Sequence, residues 1–162
     1  MMKKISLLIL LVSAFLLITG CNSNNEEKKN EHVDGTLTEI MEKIYSEIPE
    51  DERPMMLTNT ELSNENIENF IGTSDIEYES ALASEPGIGS IAHSVVLIRA
   101  KEEKDVDDIK QKIKDNVNPR KWLCVGVAEE DIIIKNKGDL VILILVDDKT
   151  TRETLDKGFD NL

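Results

Sequence analysis

The chain has 162 residues and a formal net charge of −13, from 32 acidic against 19 basic side chains. That length fits one domain of the commonest size, about 100–150 residues, with a short leader. An acidic surplus of this kind excludes a broad basic face for nucleic acid or for an anionic bilayer, so no nucleic-acid partner is expected.

The leader is the most legible stretch. Lys3 and Lys4 precede an apolar run of 14 residues, 5–18, followed by Thr19, Gly20 and Cys21. A spanning helix needs about 20 apolar residues, whereas a secretory h-region takes roughly 7–15. The run therefore reads as an export signal, its two lysines held on the cytoplasmic side. Ile18-Thr19-Gly20-Cys21 resembles the bacterial lipobox at all four positions. The resemblance implies a diacylglyceryl group on the Cys21 thiol and cleavage between Gly20 and Cys21. Each buried methylene contributes about 0.8 kcal/mol, so two acyl chains hold stably where one holds marginally. The expected organisation is residues 1–20 as signal peptide, 21–35 as lipidated cysteine and tether, and 36–162 as one domain. The protein would then sit on the extracytoplasmic face of the cell membrane, its membrane partner reached through lipid on Cys21. Loss of Lys3 and Lys4 takes the charge from −13 to −15.

Cys21 would be consumed by lipid, which leaves Cys124 without an intrachain partner among the two cysteines. The domain must then be held by its core alone.

Residues 22–35 are polar, with Val33 their only clearly apolar side chain. They bury too little to offset chain entropy and read as a flexible tether, with His32 solvated. Residues 36–48 carry Leu37, Ile40, Met41, Ile44 and Ile48 at helical steps. Thr36 with Glu39 makes a capping box, and Pro49 ends the helix. Residues 50–59 read as a loop whose Met55 and Met56 tuck against the core. A short helix over 62–71 would bury Ile67, Phe70 and Ile71, capped by Ser63 or Asn64 and closed by Gly72. Residues 75–84 alternate as a half-exposed strand, with Ile76, Tyr78 and Leu82 on one side and Glu77 and Glu79 on the other.

Gly87, Gly89 and Ala92 superficially match a dinucleotide fingerprint. That motif needs a helix after it, but 91–100 reads as a strand, so nucleotide binding is not supported. A helix over 104–117 buries Val106, Ile109 and Ile113, and Asn118-Pro119 breaks it. Two short strands follow at 122–127 and 131–135. Asn136-Lys137-Gly138-Asp139 is a hairpin turn with Gly138 at positive φ. Residues 140–146, apolar on both faces, form a central strand, and an amphipathic helix over 150–159 turns Leu155 and Phe159 inward. The fold class is α+β: a single domain with about five mostly antiparallel strands and helices packed on them. The strand from Ile91, the helix from Lys104 and a later strand would make one crossover unit.

Chemistry-bearing patterns are scarce. Two histidines and one available cysteine do not make a zinc set, and the acid clusters lack the spacing and glycine of a calcium loop. There is no nucleophile elbow. Cys124 and His93 are the candidates for a hydrolase or redox enzyme, but a Cys–His pair needs about 2.6–3.2 Å and an orienting group. His93 and Ser94 are strand neighbours and point to opposite faces. Cys124 reads as a buried small hydrophobe and His93 as a satisfied sheet histidine. No catalytic, cofactor or metal residue is expected.

Pro119-Arg120-Lys121-Trp122-Leu123-Cys124-Val125-Gly126-Val127, then Ile132-Ile133-Ile134 and Lys137-Gly138-Asp139-Leu140-Val141-Ile142-Leu143-Ile144, carry a family likeness. With the lipobox and the preceding helix, the chain resembles small Gram-positive lipoproteins of the domain of unknown function 4358 family. The likeness covers roughly 37–146 and implies no activity, cofactor or catalytic residue. The expected function is a non-enzymatic, lipid-anchored binding or interaction module with a protein partner at the membrane or cell wall. The rivals are a small solute- or cation-binding lipoprotein serving a transporter, and the enzyme using Cys124 or His93.

Overall fold

The computed structural model describes residues 32–162. The signal segment, Gly20, Cys21 and most of the expected tether lie outside the described residues. The order of elements is α1 (Leu37–Tyr45), β1 (Leu57–Glu61), α2 (Glu68–Ile71), β2 (Tyr78–Pro86), β3 (His93–Ala100), α3 (Val106–Asn116), β4 (Ile133–Lys137), β5 (Leu140–Val146) and α4 (Lys149–Asp160). The strands form one five-stranded sheet in the order β1-β2-β3-β5-β4, with every neighbouring pair antiparallel. β3 and β4 therefore run in the same direction with β5 between them. The crossover through α3 skips one strand.

The sheet has a core on each face. Alternate residues of β3 divide between them: Val96 and Ile98 pack with Ile67, Ile71, Ile109 and Ile113 from α2, α3 and the turn before α2. Val95 and Leu97 pack with Ile40, Met41, Ile44, Leu155 and Phe159 from α1 and α4. β5 divides in the same way, and both strands are buried along their whole length. Burial on both sides explains why β5 is apolar at every position. The described residues thus form one α+β domain, a five-stranded sheet with helices covering both faces.

Local signals hold where both partners are close in sequence. The capping box forms as expected: the Glu39 N–H donates to Thr36 Oγ1 (3.2 Å), and the Thr36 N–H donates to Glu39 Oε2 (2.9 Å). Those hydrogen bonds hold the Glu39 carboxyl below the usual range. The helix ends at Tyr45, sooner than the 36–48 pattern implies, and passes into turns (Ser46 N–H to Lys43 O, Ile48 N–H to Tyr45 O) over which Arg53 folds back. Arg53 Nη2 donates to Tyr45 O (2.8 Å) and Nε to Ile48 O (2.9 Å), which satisfies acceptors that the helix leaves free. Gly138 opens the two-residue β4–β5 turn at φ 53°.

Three expectations need correction. Residues 57–61, of which 57–59 read as a loop and 60–61 as no element from the sequence, form β1. Its Thr58, Asn59 and Thr60 are exposed, so no apolar alternation marks it, and its ladder to β2 holds it. The helix expected over 62–71 is confined to Glu68–Ile71 after a turn. In β2 the pairing jumps from Tyr78↔Ala100 to Ser80↔Arg99. This bulge flips the alternation, so Ile76 and Tyr78 share a face with Ala81 and Ala83, while Leu82 enters the opposite core.

Candidate functional site

The N-terminal end of β3 carries the most unusual surface. Residues 119–127, expected to include a strand, form a compact loop closed at its base by Val127 N–H to Pro119 O (2.8 Å). Such a loop, with its ends together and its own side chains inside, is a common carrier of function. Trp122 and Val125 pack against the α3-side core. Gly126 lets the returning chain lie close to the loop's start, since a Cβ there would sit 2.9 Å from Pro119 O. Tight closure turns the loop tip outward: Leu123 is 73% exposed and Cys124 is exposed at φ 63°. The sequence reading of Cys124 as a buried strand residue is therefore wrong. The contacts that place it come from far along the chain.

Two further segments meet this loop. The Leu123 N–H donates to Gly89 O (2.8 Å), joining it to the β2–β3 turn, and the Gly87 N–H donates to Met56 O (3.0 Å), joining that turn to the start of β1. Met56 adopts φ 58°, a conformation side chains rarely take. Met55 and Met56 are 70% and 67% exposed, not tucked against the core as expected. A Cβ built on Gly89 meets nothing within 4 Å. The result is an open saddle, with Met56 folded over Gly87 on one side, Leu123 on the other and Gly89 bare between them.

Beneath the saddle lies Lys121, whose ammonium pairs with Glu85 and lies 3.4 Å from Ser94 Oγ. It also lies 5.0 Å from the Phe70 ring centre and 5.3 Å from that of Trp122. Burial lowers its pKa from the ordinary lysine value, against the opposing pull of Glu85. A cation held this way fixes the loop to the sheet from within.

His93 lies on the other face. Its Nε2 shares a 2.6 Å hydrogen bond with the Tyr45 hydroxyl, to which Ser84 also bonds, and all three residues are buried. Burial holds the His93 pKa at about 4 and pushes that of Tyr45 above its usual range. The imidazole is therefore neutral at physiological pH. The structure does not bring Cys124 and His93 together: one is exposed on a loop of the α3 side, while the other is buried under α1 with its nitrogen engaged by Tyr45. Ser94 points away from His93 toward Lys121, as strand alternation requires.

The opposite end of the sheet is closed. Arg99 on β3 donates through Nη2 to Val33 O (3.0 Å) and Gly35 O (3.1 Å), and through Nη1 to Asp139 Oδ2 (3.0 Å). His32 joins Asp139 at 2.8 Å while its side chain stays 58% exposed, as the sequence suggests for a solvated histidine. Burial alone would raise the Asp139 carboxyl, but the hydrogen bonds from Arg99 and His32 outweigh it and lower its pKa. This clamp holds the first described residues against the β4–β5 turn. Its parts lie up to 107 positions apart, so no short stretch of sequence announces it.

Among the described residues no group of three or more His, Cys, Asp or Glu is placed to hold a metal ion, and no helix is long and apolar enough to cross a membrane. No protein-family model, curated protein or solved structure matches the chain.

Proposed function

We propose that this protein is a non-enzymatic interaction module, lipid-anchored through Cys21 after cleavage at Gly20 and displayed on the outer face of the cell membrane. The likeness to the domain of unknown function 4358 lipoproteins is part of the same proposal. The observation that supports it most is the saddle: three large apolar side chains, Met55, Met56 and Leu123, stand in solvent on a supported frame. Exposed apolar groups clustered on an otherwise charged surface mark contact sites. Where the chain enters the domain agrees with this reading. The clamp receives residues 32–35 at one end of β3, and the saddle lies at the other. Eight residues of β3 at about 3.3 Å each separate the two ends by roughly 25 Å. An anchored domain would thus present the saddle away from its point of attachment.

The test is chemical cross-linking in intact cells expressing the full lipoprotein, with mass spectrometry of the captured material and a Cys21→Ser chain as the mislocalised control. One reproducible membrane or wall protein, lost in the control, is the expected result. Capture of the same random neighbours by both chains would overturn the reading.

A further inference from the structure

Resting on that reading, we infer that the saddle between Met56 and Leu123 receives a basic, apolar segment of a protein partner, in which leucine-like side chains fill the saddle and lysines or arginines meet the acids around it. The apolar part follows from shape and exposure. Gly89 leaves the floor free and faces open space, while the Met56 side chain lies over Gly87, its Cε 3.5 Å from where a Cβ would stand. Methionine suits such a surface because its unbranched, polarizable side chain adapts to the shape it meets.

The charge of the segment follows from what surrounds the saddle. Glu50, Asp51 and Glu52 form a helical turn just before Met55, and all three are exposed. On the other side, Asp147 bonds through its N–H to Ala92 O at the start of β3, so exposed Asp147 and Asp148 belong to this end of the sheet. Arg152 ties Asp131 to the Val146 and Asp147 carbonyls, which brings exposed Glu129 and Glu130 to the same end. The cations here are fewer. Lys121 is committed to Glu85 and Arg53 to the Tyr45 and Ile48 carbonyls, leaving Arg120, Lys149 and Lys114, which lines a hollow with Pro119 and Glu129, against the seven exposed acids. A negative rim disfavours both an anionic lipid surface and a second copy of this acidic chain, and it attracts a cationic segment.

The chain contains one tryptophan, Trp122, which adjoins Leu123 within the loop, so its emission reports on the saddle. The full lipoprotein, solubilised in a neutral detergent, is titrated with a synthetic peptide of leucine and lysine and with the same peptide bearing glutamate for lysine. The expected result is a saturable change in Trp122 emission with the lysine peptide only, fading as salt approaches about 1 M, where screening acts within ~3 Å. Gly89→Lys and Leu123→Glu should each weaken the interaction by about tenfold or more, while Glu103→Lys, a charge reversal beyond the far end of β3, should leave it unchanged. Gly89 has open space and no positive φ, so Gly89→Lys keeps the fold, and circular dichroism checks that it does. Three results would overturn the inference: a response to both peptides or to neither, a response to anionic phosphatidylglycerol added to the detergent micelles in place of the lysine peptide, or self-association abolished by Leu123→Glu. The two failures separate. Absence of a captured protein in cells ends the interaction reading itself, whereas a captured protein with Trp122 silent to the lysine peptide ends only this assignment.

Discussion

The two ends of β3 each take a cation out of water, and they do so to opposite effect. At the C-terminal end Arg99 spends its planar fork of donors on two carbonyls and a carboxylate, and the chain closes over it. At the N-terminal end Lys121 meets one carboxylate and two aromatic faces, and the loop above it opens outward. A guanidinium presents several donors in fixed directions and suits a clamp, while an ammonium is a compact charge that tolerates aromatic neighbours. The closed end holds residues 32–35 against the sheet, and the open end leaves Met55, Met56 and Leu123 in solvent.

That contrast can be broken at the closed end first. Arg99→Ala would leave two carbonyls without their donor and Asp139 with His32 alone, and the expected loss is about 3–5 kcal/mol in urea unfolding. Arg99→Lys should recover only part of it, because lysine lacks the fork. A full recovery would mean that charge alone, and not donor geometry, holds the clamp.

The next effect concerns the buried histidine. With its folded pKa near 4 against 6.5 unfolded, His93 takes a proton more readily in the unfolded chain. Its contribution is therefore present above pH 6.5 and is lost as pH falls from 6.5 toward 4, by about 3 kcal/mol in all. Urea midpoints measured across that window should fall with acidity, and His93→Gln should flatten the slope. An unchanged slope in the variant would assign the effect to other groups.

A smaller loss is expected where α4 meets α1. A Cβ on Gly158 would lie 2.6 Å from Ile44 O, so Gly158→Ala should destabilise by about 1–3 kcal/mol despite its better helix propensity. The smallest effect belongs to the open end. Leu123→Glu should change stability by less than about 0.5 kcal/mol, since its side chain is 73% exposed, while abolishing capture of the partner. A large stability loss there would recast Leu123 as a core residue.

How much of this was legible in the sequence depends on how far apart the partners lie. Thr36 with Glu39, the buried stripe of α1, the Gly138 turn and the two-faced β5 are all written in short stretches, and the α+β sheet follows from them. β1 was not legible because an edge strand with Thr58, Asn59 and Thr60 exposed carries no apolar alternation. The Leu82 face was misread because a bulge is a property of the pairing with β3 and not of β2 alone. The saddle was misread for a related reason. Leu123 and Cys124 sit in an apolar run that looks like a strand, and only Gly89, Glu85 and the closure at Pro119 turn them outward. The adjacent methionines stand out in the sequence, but the left-handed Met56 backbone, bonded to Gly87 of the β2–β3 turn, does not.

The account stands most directly on which end of the sheet is touched in the cell. A photo-activated cross-linking residue placed at Leu123 in the full lipoprotein, and separately at Glu103, compares the open end with the closed one. The expected result is one discrete cross-linked product from position 123 in membranes and none of that size from 103. Equal products from both positions, or a product from 103 alone, would contradict the assignment of the saddle as the contact surface.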